Sequence, residues 1–251
     1  MKKLLLFFLL MLAVLPRAFA LSAADAELFK KANQDYRKGH FKEAADSYEL
    51  LSNKNPDEAV FFYNLGNALH RLNKLGPTIV AYEQSLALDP RNPDTRANLK
   101  FARGLVQYRV EDKRNWYLKA AQEVLDYFTE KEVISLVLFT YFLLAVSWSF
   151  VLFFKNGAPW GKRKILLAVS AVFFLVGLAK NIETHFIRDA IVTTSETAVR
   201  YAPSEAEKVA FRLGEGVKVY VVDKREDWSR VLLVNGDSGW IPSQQITEIS
   251  K

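Results

Sequence analysis

The chain has 251 residues, a formal net charge of +6 and no cysteine, which excludes disulfides, thiolate nucleophiles and cysteine-ligated metal sites. Its basic excess lies in two short stretches: residues 1–20 hold three basic residues and residues 155–164 hold four, while the remainder has one more acidic than basic residue. The remainder therefore lacks the positive charge typical of nucleic-acid binding, and we expect no nucleic-acid partner.

Residues 1–20 have the pattern of a bacterial secretory signal peptide. A basic start precedes an apolar run from Leu4 to Leu15, then Pro16 and an ending with Ala18 and Ala20. This order predicts export and cleavage after Ala20. The alternative is an uncleaved anchor. In either case the next segment is expected outside the cytoplasm.

Residues 21–112 contain an internal repeat. Asn33 recurs as Asn67, Tyr48 as Tyr82 and Pro56 as Pro90, each after 34 residues. This period, with small residues at helix crossings and an aromatic residue in the second helix, resembles tetratricopeptide repeats, which implies stacked helical hairpins. Two repeats are predicted, followed by a capping helix with Asp94 as its N-cap. Residues 76–77, Gly-Pro, depart from the usual turn of such a repeat.

The inner face of such a stack is a candidate groove for an extended protein segment. In tetratricopeptide proteins that clamp a terminal carboxylate, two asparagines hold the peptide backbone, and Asn33 and Asn64 match them. The accompanying cations do not match, because Phe29, Asp94 and Asn98 stand in their places. The alternative is a solvated face with helix-stabilising amides. The groove prediction comprises Phe29, Asn33, Tyr36, Tyr63, Asn64, Asn67, His70, Arg71 and Phe101.

Two apolar runs follow an amphipathic linker, residues 113–132. The linker is predicted to lie among lipid headgroups or to pack on the repeat. Residues 133–154 carry no charge, and residues 165–181 form a shorter apolar run, so both are predicted as transmembrane helices. The basic loop 155–164 between them is expected on the cytoplasmic side. Both flanking domains would then lie in the periplasm of a bacterial inner-membrane protein.

Residues 188–251 predict a small all-β barrel of about five strands. Alternating valines and the Asn235-Gly236 pair indicate short strands and a hairpin. Four stretches resemble the bacterial SH3-like family: residues 198–204, 213–216, 227–231 and 236–241. The resemblance implies binding of peptide or cell-wall glycopeptide. The candidate binding face comprises Tyr201, Trp228 and Trp240; the alternative is that Trp228 and Trp240 fill the small core.

No motif for catalysis, cofactor binding or metal binding stands out. His40, His70 and His185 are far apart in the sequence, and nucleotide-binding and serine-hydrolase motifs are missing. We therefore expect a non-enzymatic protein without a cofactor or metal.

The predicted fold class is a multidomain membrane protein with an all-α tetratricopeptide helical repeat, a two-helix transmembrane hairpin and an all-β SH3-like small barrel. This layout resembles the BatE-like proteins of bacterial aerotolerance operons. The resemblance implies a membrane adaptor with von Willebrand A-type membrane partners and a MoxR-type ATPase. A barrel that binds peptidoglycan is the alternative.

Overall fold

The structure is a computed structural model that describes residues 21–108, 110–153, 168–169, 171–172, 174–179, 181 and 188–249. In helix α7, side chains are described as far as Phe142 and at Ala145. The predicted signal peptide, residues 1–20, and the predicted basic loop, residues 155–164, lie outside the described residues.

Within residues 21–108, the chain folds into five helices that form two helical hairpins and a further helix. The helices are α1 Ala23–Lys38, α2 Phe41–Lys54, α3 Ala59–Arg71, α4 Leu75–Leu88 and α5 Pro93–Gly104. Each helix packs against the next one along the chain. Tyr48 of α2 and Tyr82 of α4, which are 34 residues apart, are both buried. The predicted helical repeat is thus confirmed.

Helix α5 begins two residues earlier than predicted. Asn92, not Asp94, is its N-cap, because the Asn92 side chain accepts a hydrogen bond from the Thr95 backbone N–H at 3.0 Å. Pro93 then occupies the first helical turn, where the missing N–H of proline costs nothing. Leu99 and Ala102 of α5 are buried against α4.

Two more helices, α6 Trp116–Asp126 and α7 Glu130–Phe153, follow the repeat. The start of α7 is polar and held by the repeat: Glu132 pairs with Arg91, and Lys131 pairs with Asp57 at 2.8 Å. Further along the chain, residues 168–169, 171–172, 174–179 and 181 are helical.

Over the described part of the chain, no helix combines the length and the apolar character that crossing a membrane requires. A span needs about 20 consecutive apolar residues. The described side chains of α7 begin with charged residues paired to the repeat, and the second apolar run is described only in short pieces. The predicted two-helix transmembrane hairpin, residues 133–154 and 165–181, is therefore wrong. The fold class becomes a helical repeat joined to an antiparallel sheet.

Residues 188–249 form a seven-stranded antiparallel sheet, which is more than the five or so strands predicted. The strands are β1 Arg188–Val192, β2 Glu196–Arg200, β3 Val209–Gly214, β4 Lys218–Arg225, β5 Trp228–Leu232, β6 Ser238–Pro242 and β7 Ile246–Glu248. Their order in the sheet is β3-β2-β6-β5-β4-β1-β7. The predicted hairpin at Asn235-Gly236 is confirmed, since it joins β5 to β6 with Val231 opposite Gly239.

The helical repeat and the sheet share one hydrophobic core. Ile79 of α4 and Val106, which follows α5, belong to the same cluster of buried side chains as Ile191 and Val217 of the sheet. A second cluster, centred on Tyr48 and Leu51, lies within the repeat alone. Burial of apolar area, at roughly 25 cal/mol per Å², therefore stabilises the attachment of the barrel to α4.

Close backbone approach at the junction depends on two glycines. A Cβ on Gly76, in the first turn of α4, would lie 2.8 Å from the Val192 carbonyl oxygen of β1. Gly216 has a φ of 86° and leaves no room for a side chain beside Ile79. The Gly76 N–H donates to the Glu215 carboxylate at 2.7 Å. The barrel thus supplies an anionic cap to α4, whose own N-cap residue makes no side-chain cap bond.

Candidate functional site

A row of asparagine side chains crosses helices α1, α3 and α5 of the repeat. Tyr48 donates its hydroxyl proton to Asn33 Oδ1 at 2.8 Å, and Tyr82 donates to Asn67 Oδ1 at 2.7 Å. Asn98 Nδ2 also donates to Asn67 Oδ1, at 3.0 Å. We call Asn33, Asn67 and Asn98 the amide row. Equivalent positions in successive repeats therefore hold equivalent Tyr–Asn pairs.

The tyrosines fix which end of each amide is used. Because Asn33 and Asn67 accept through Oδ1, their Nδ2 atoms are the remaining donors, and neither finds an acceptor among the described residues. Both side chains are half-buried. Two donors held in this way by buried partners are suited to binding backbone carbonyl groups of an extended chain.

Replacing Tyr48 with Phe is expected to lower the free energy of unfolding by about 1–2 kcal/mol, because Asn33 Oδ1 loses its donor. Burial raises the pKa of Tyr48 from 10.0 to about 12. The folded state thus holds this proton more tightly than the unfolded state, so the stabilisation is complete below about pH 10 and is lost as the pH rises through 12. Urea unfolding across this range measures both effects.

Tyr36→Phe is the matched control, since it removes the same hydroxyl group from a tyrosine whose ring packs against Phe41. As the pH rises from 10 through 12, the free energy of unfolding should fall less in the Tyr48→Phe protein, because the ionisation of Tyr48 no longer contributes to the fall. Equal unfolding midpoints for Tyr48→Phe and the control at neutral pH would contradict the hydrogen bond's contribution.

Asn64, one of the two asparagines matched to the clamp, is engaged within its own helix. Its Nδ2 donates to the Val60 carbonyl oxygen at 2.9 Å. The side chain equivalent to Asn33 is instead Asn67, because only Asn67 repeats the bond to a buried tyrosine. Asn33 and Asn67 therefore hold equivalent positions in the two repeats, whereas the Asn64 amide is engaged within α3.

The aromatic residues predicted for the groove divide between core and surface. Phe29 packs edge-on against Phe61 with ring centroids 5.3 Å apart and belongs to the repeat core. Tyr63 packs beside Tyr82 at 6.3 Å. Phe101 is 60% exposed and meets His70 edge-on at 5.7 Å. Phe101 and His70 are thus an aromatic pair on the outside of the repeat.

At the other end of the predicted groove, Tyr36 and Arg71 both contact Phe41. The rings of Tyr36 and Phe41 meet edge-on at 5.3 Å, and the Arg71 guanidinium lies 4.3 Å from the centroid of the Phe41 ring. Arg71 is exposed, so it adds a cation to this part of the surface.

The three aromatic residues predicted for the barrel face differ in exposure. Tyr201 is 68% exposed, whereas Trp240 is only 6% exposed. Arg225 covers the Trp240 ring with its guanidinium 5.0 Å from the centroid. Trp228 is half-buried and lies opposite Pro242, two pairs along from the Arg230–Trp240 pair in the same sheet. Only Tyr201 of the three is freely available to a ligand.

Sequence reasoning missed the charged pair at the junction of repeat and barrel. Lys218 Nζ of β4 lies 2.8 Å from the Asp189 carboxylate of β1, and Asp189 is 4% exposed. The pair lines a cavity of about 850 Å³ together with residues of α4, α5 and α6. Burial by itself lowers the pKa of Lys218, but the nearby Glu83 and Asp189 carboxylates outweigh burial and raise it. Neither Asp189 nor Lys218 belongs to a sequence motif that indicates the other.

The side chains within the described ranges form no cluster of three or more His, Asp or Glu residues that could hold a metal ion. The cavity at the junction contains charges of both signs that are engaged with each other, as in the Arg103–Glu83 and Lys218–Asp189 pairs. The arrangement can therefore stabilise the junction, and the donors for an outside partner are those of the amide row.

Comparison with known proteins assigns the barrel. Residues 194–248 match the family model of the bacterial SH3 domain. The barrel resembles that family. This match covers the sheet from β2 to β7 and leaves the repeat outside it. No curated protein matches the chain at a significant level.

Two solved structures resemble part of the chain. A tetratricopeptide repeat domain protein from Salinibacter ruber is 19% identical, with 35% of this chain and 94% of that chain covered and a TM-score of 0.31. A structure of the CopN-Scc3 complex is 17% identical, with 45% and 79% covered and a TM-score of 0.30. The assignment of the repeat rests on its own 34-residue period and on its Tyr–Asn pairs.

Proposed function

We propose that the protein is a non-enzymatic adaptor that binds an extended segment of a partner protein along the amide row. The observation that carries this proposal is the repeated Tyr–Asn pair, which leaves the Nδ2 donors of Asn33 and Asn67 directed away from their tyrosine partners. The exposed Phe101 beside the row adds apolar area for a partner side chain. The barrel contacts the repeat chiefly through α4, which carries none of the three asparagines.

The proposed location is outside the bacterial cytoplasm, in the periplasm. The signal-like residues 1–20 support it. The order of helical repeat and SH3-like barrel supports the further proposal of a BatE-like role in stress or aerotolerance, with von Willebrand A-type membrane proteins as the partners that contact the repeat.

Asparagine-to-aspartate substitution separates partner binding from folding. In the Asn33→Asp/Asn67→Asp protein, the side-chain oxygens still accept from Tyr48 and Tyr82, while the donors to a partner carbonyl are gone. The matched control is Gln34→Glu/Asn53→Asp, which adds the same charge at exposed positions of α1 and α2. Crosslinking in intact cells that produce the protein naturally should lose partners in the first variant and keep them in the control. An unchanged set of crosslinked partners in both would overturn the proposal.

The second candidate function is binding of peptidoglycan by the barrel. The match of residues 194–248 to the bacterial SH3 domain and the 68% exposure of Tyr201 favour it. The test is retention of the full chain on isolated peptidoglycan at low salt, compared with Tyr201→Ala and with Phe101→Ala as a control outside the barrel. Retention that only Tyr201→Ala abolishes would support this function, and absence of retention would exclude it.

A further inference from the structure

Helix α6 is amphipathic, and its apolar side is turned away from the protein. Tyr117, Leu118 and Val124 share one side of the helix with Trp116, while Lys119, Gln122, Glu123 and Asp126 form the other side. A helix of a globular protein normally buries its apolar side. In α6 no residue is buried, and Trp116 and Val124 are 79% and 60% exposed.

The polar side of α6 is the one that faces the rest of the chain. Lys119 Nζ donates to the Asp112 carbonyl oxygen at 2.8 Å. Glu123 and Asp126 line the cavity of about 850 Å³ that the helix shares with α4, α5 and the barrel. The polar side of α6 therefore faces the cavity, and the apolar side is left uncovered.

The next helix also carries exposed apolar side chains. Ile134, Leu138, Phe139 and Tyr141 of α7 are 49%, 63%, 55% and 51% exposed. Several exposed large apolar side chains on neighbouring helices mark a site of contact with a protein or a membrane.

We propose that the apolar side of α6 lies in the surface of a lipid bilayer. Trp116 and Tyr117 combine an apolar ring with a polar edge, which suits the level of the lipid headgroups. The apolar side of α6 carries no charged residue, so it can enter an apolar phase without desolvating a charge. Residues 111–132 hold four basic and six acidic residues, so apolar area and not attraction to anionic lipid drives the contact.

Site-specific labels on opposite sides of α6 test the orientation. The full chain contains no cysteine, so Val124→Cys and Asp126→Cys each give a single site for a nitroxide label. The proteins are mixed with vesicles of uncharged phosphatidylcholine, and collisions with oxygen and with a water-soluble nickel chelate are measured. The label at residue 124 should lose about fivefold of its nickel collisions and gain oxygen collisions, whereas the label at residue 126 should change by less than about twofold.

Two outcomes would overturn the proposal. Continued access of the nickel chelate to residue 124 in the presence of vesicles would show that this side stays in water. Loss of both nickel and oxygen collisions at residue 124 would show that protein covers it. Vesicles with added anionic lipid and buffers of high salt should give the same pattern as uncharged vesicles at low salt, and a contact that disappears at high salt would contradict the apolar driving force.

Discussion

Replacing Lys218 with Met is expected to lower the free energy of unfolding by about 3 kcal/mol, because it removes the ammonium group that pairs with the buried Asp189 carboxylate. Asp189 is 4% exposed, and the two charged groups lie 2.8 Å apart. Desolvation of a carboxylate that has lost its cation accounts for a cost of this size. Urea unfolding of the full chain measures this cost. The lost ion pair joins strands β1 and β4 of the barrel.

The double variant Asp189→Asn/Lys218→Met is the control, since it removes the charge from both positions. It should be closer in stability to the natural protein than Lys218→Met alone, because a buried ion pair contributes little beyond what a neutral pair supplies. Equal losses in the single and double variants would contradict the argument.

The pH dependence of this pair has a defined sign. Burial by itself lowers the pKa of Lys218, but the attraction of the Glu83 and Asp189 carboxylates is the larger effect. The pKa of Lys218 is therefore raised in the folded state. Its contribution to stability is therefore complete below the ordinary lysine pKa of about 10.4. It declines as the pH rises through the folded value, and the Lys218→Met protein should lack this decline.

The repeat and the barrel were predictable because their signals are local. Tyr48 and Tyr82 share a fixed spacing, and Asn235-Gly236 marks a hairpin between two short strands. Both are properties of a few tens of residues read in order. The prediction of the transmembrane hairpin relied on apolar runs alone and did not weigh the charged start of α7, which pairs with the repeat.

The junction between repeat and barrel was not predictable, because it joins residues far apart in the sequence. Gly76 and Glu215 are separated by 139 positions, and neither belongs to a pattern that indicates the other. The unusual Gly-Pro at residues 76–77 was the only sequence signal of this junction, and it was interpreted as a variant turn of the repeat. The amide row was predicted in part: Asn33 and Asn67 were included, but Tyr48 and Tyr82 were identified only as the recurring aromatic residue of the second helix.

Gly76→Ala should destabilise the protein even though alanine is the better helix former. Helix propensity alone predicts a gain of up to about 1 kcal/mol at this position of α4. The new methyl group would, however, lie 2.8 Å from the Val192 carbonyl oxygen and 2.9 Å from the Thr193 Cα. These are backbone atoms that cannot turn aside, so overpacking is expected to cost about 1–3 kcal/mol.

Gly104→Ala is the matched control, because a Cβ there meets nothing within 4 Å and the residue likewise lies in a helix. The two variants should therefore shift the urea midpoint in opposite directions. In Gly76→Ala the barrel has to move away from α4, which also lengthens the 2.7 Å bond between the residue 76 N–H and Glu215. Hydrogen exchange should then rise at the start of α4 and in β1 while it stays constant in α1 and α2, where the separate core around Tyr48 is untouched. A stabilising effect of Gly76→Ala equal to that of Gly104→Ala would show that the close approach of repeat and barrel does not persist in solution.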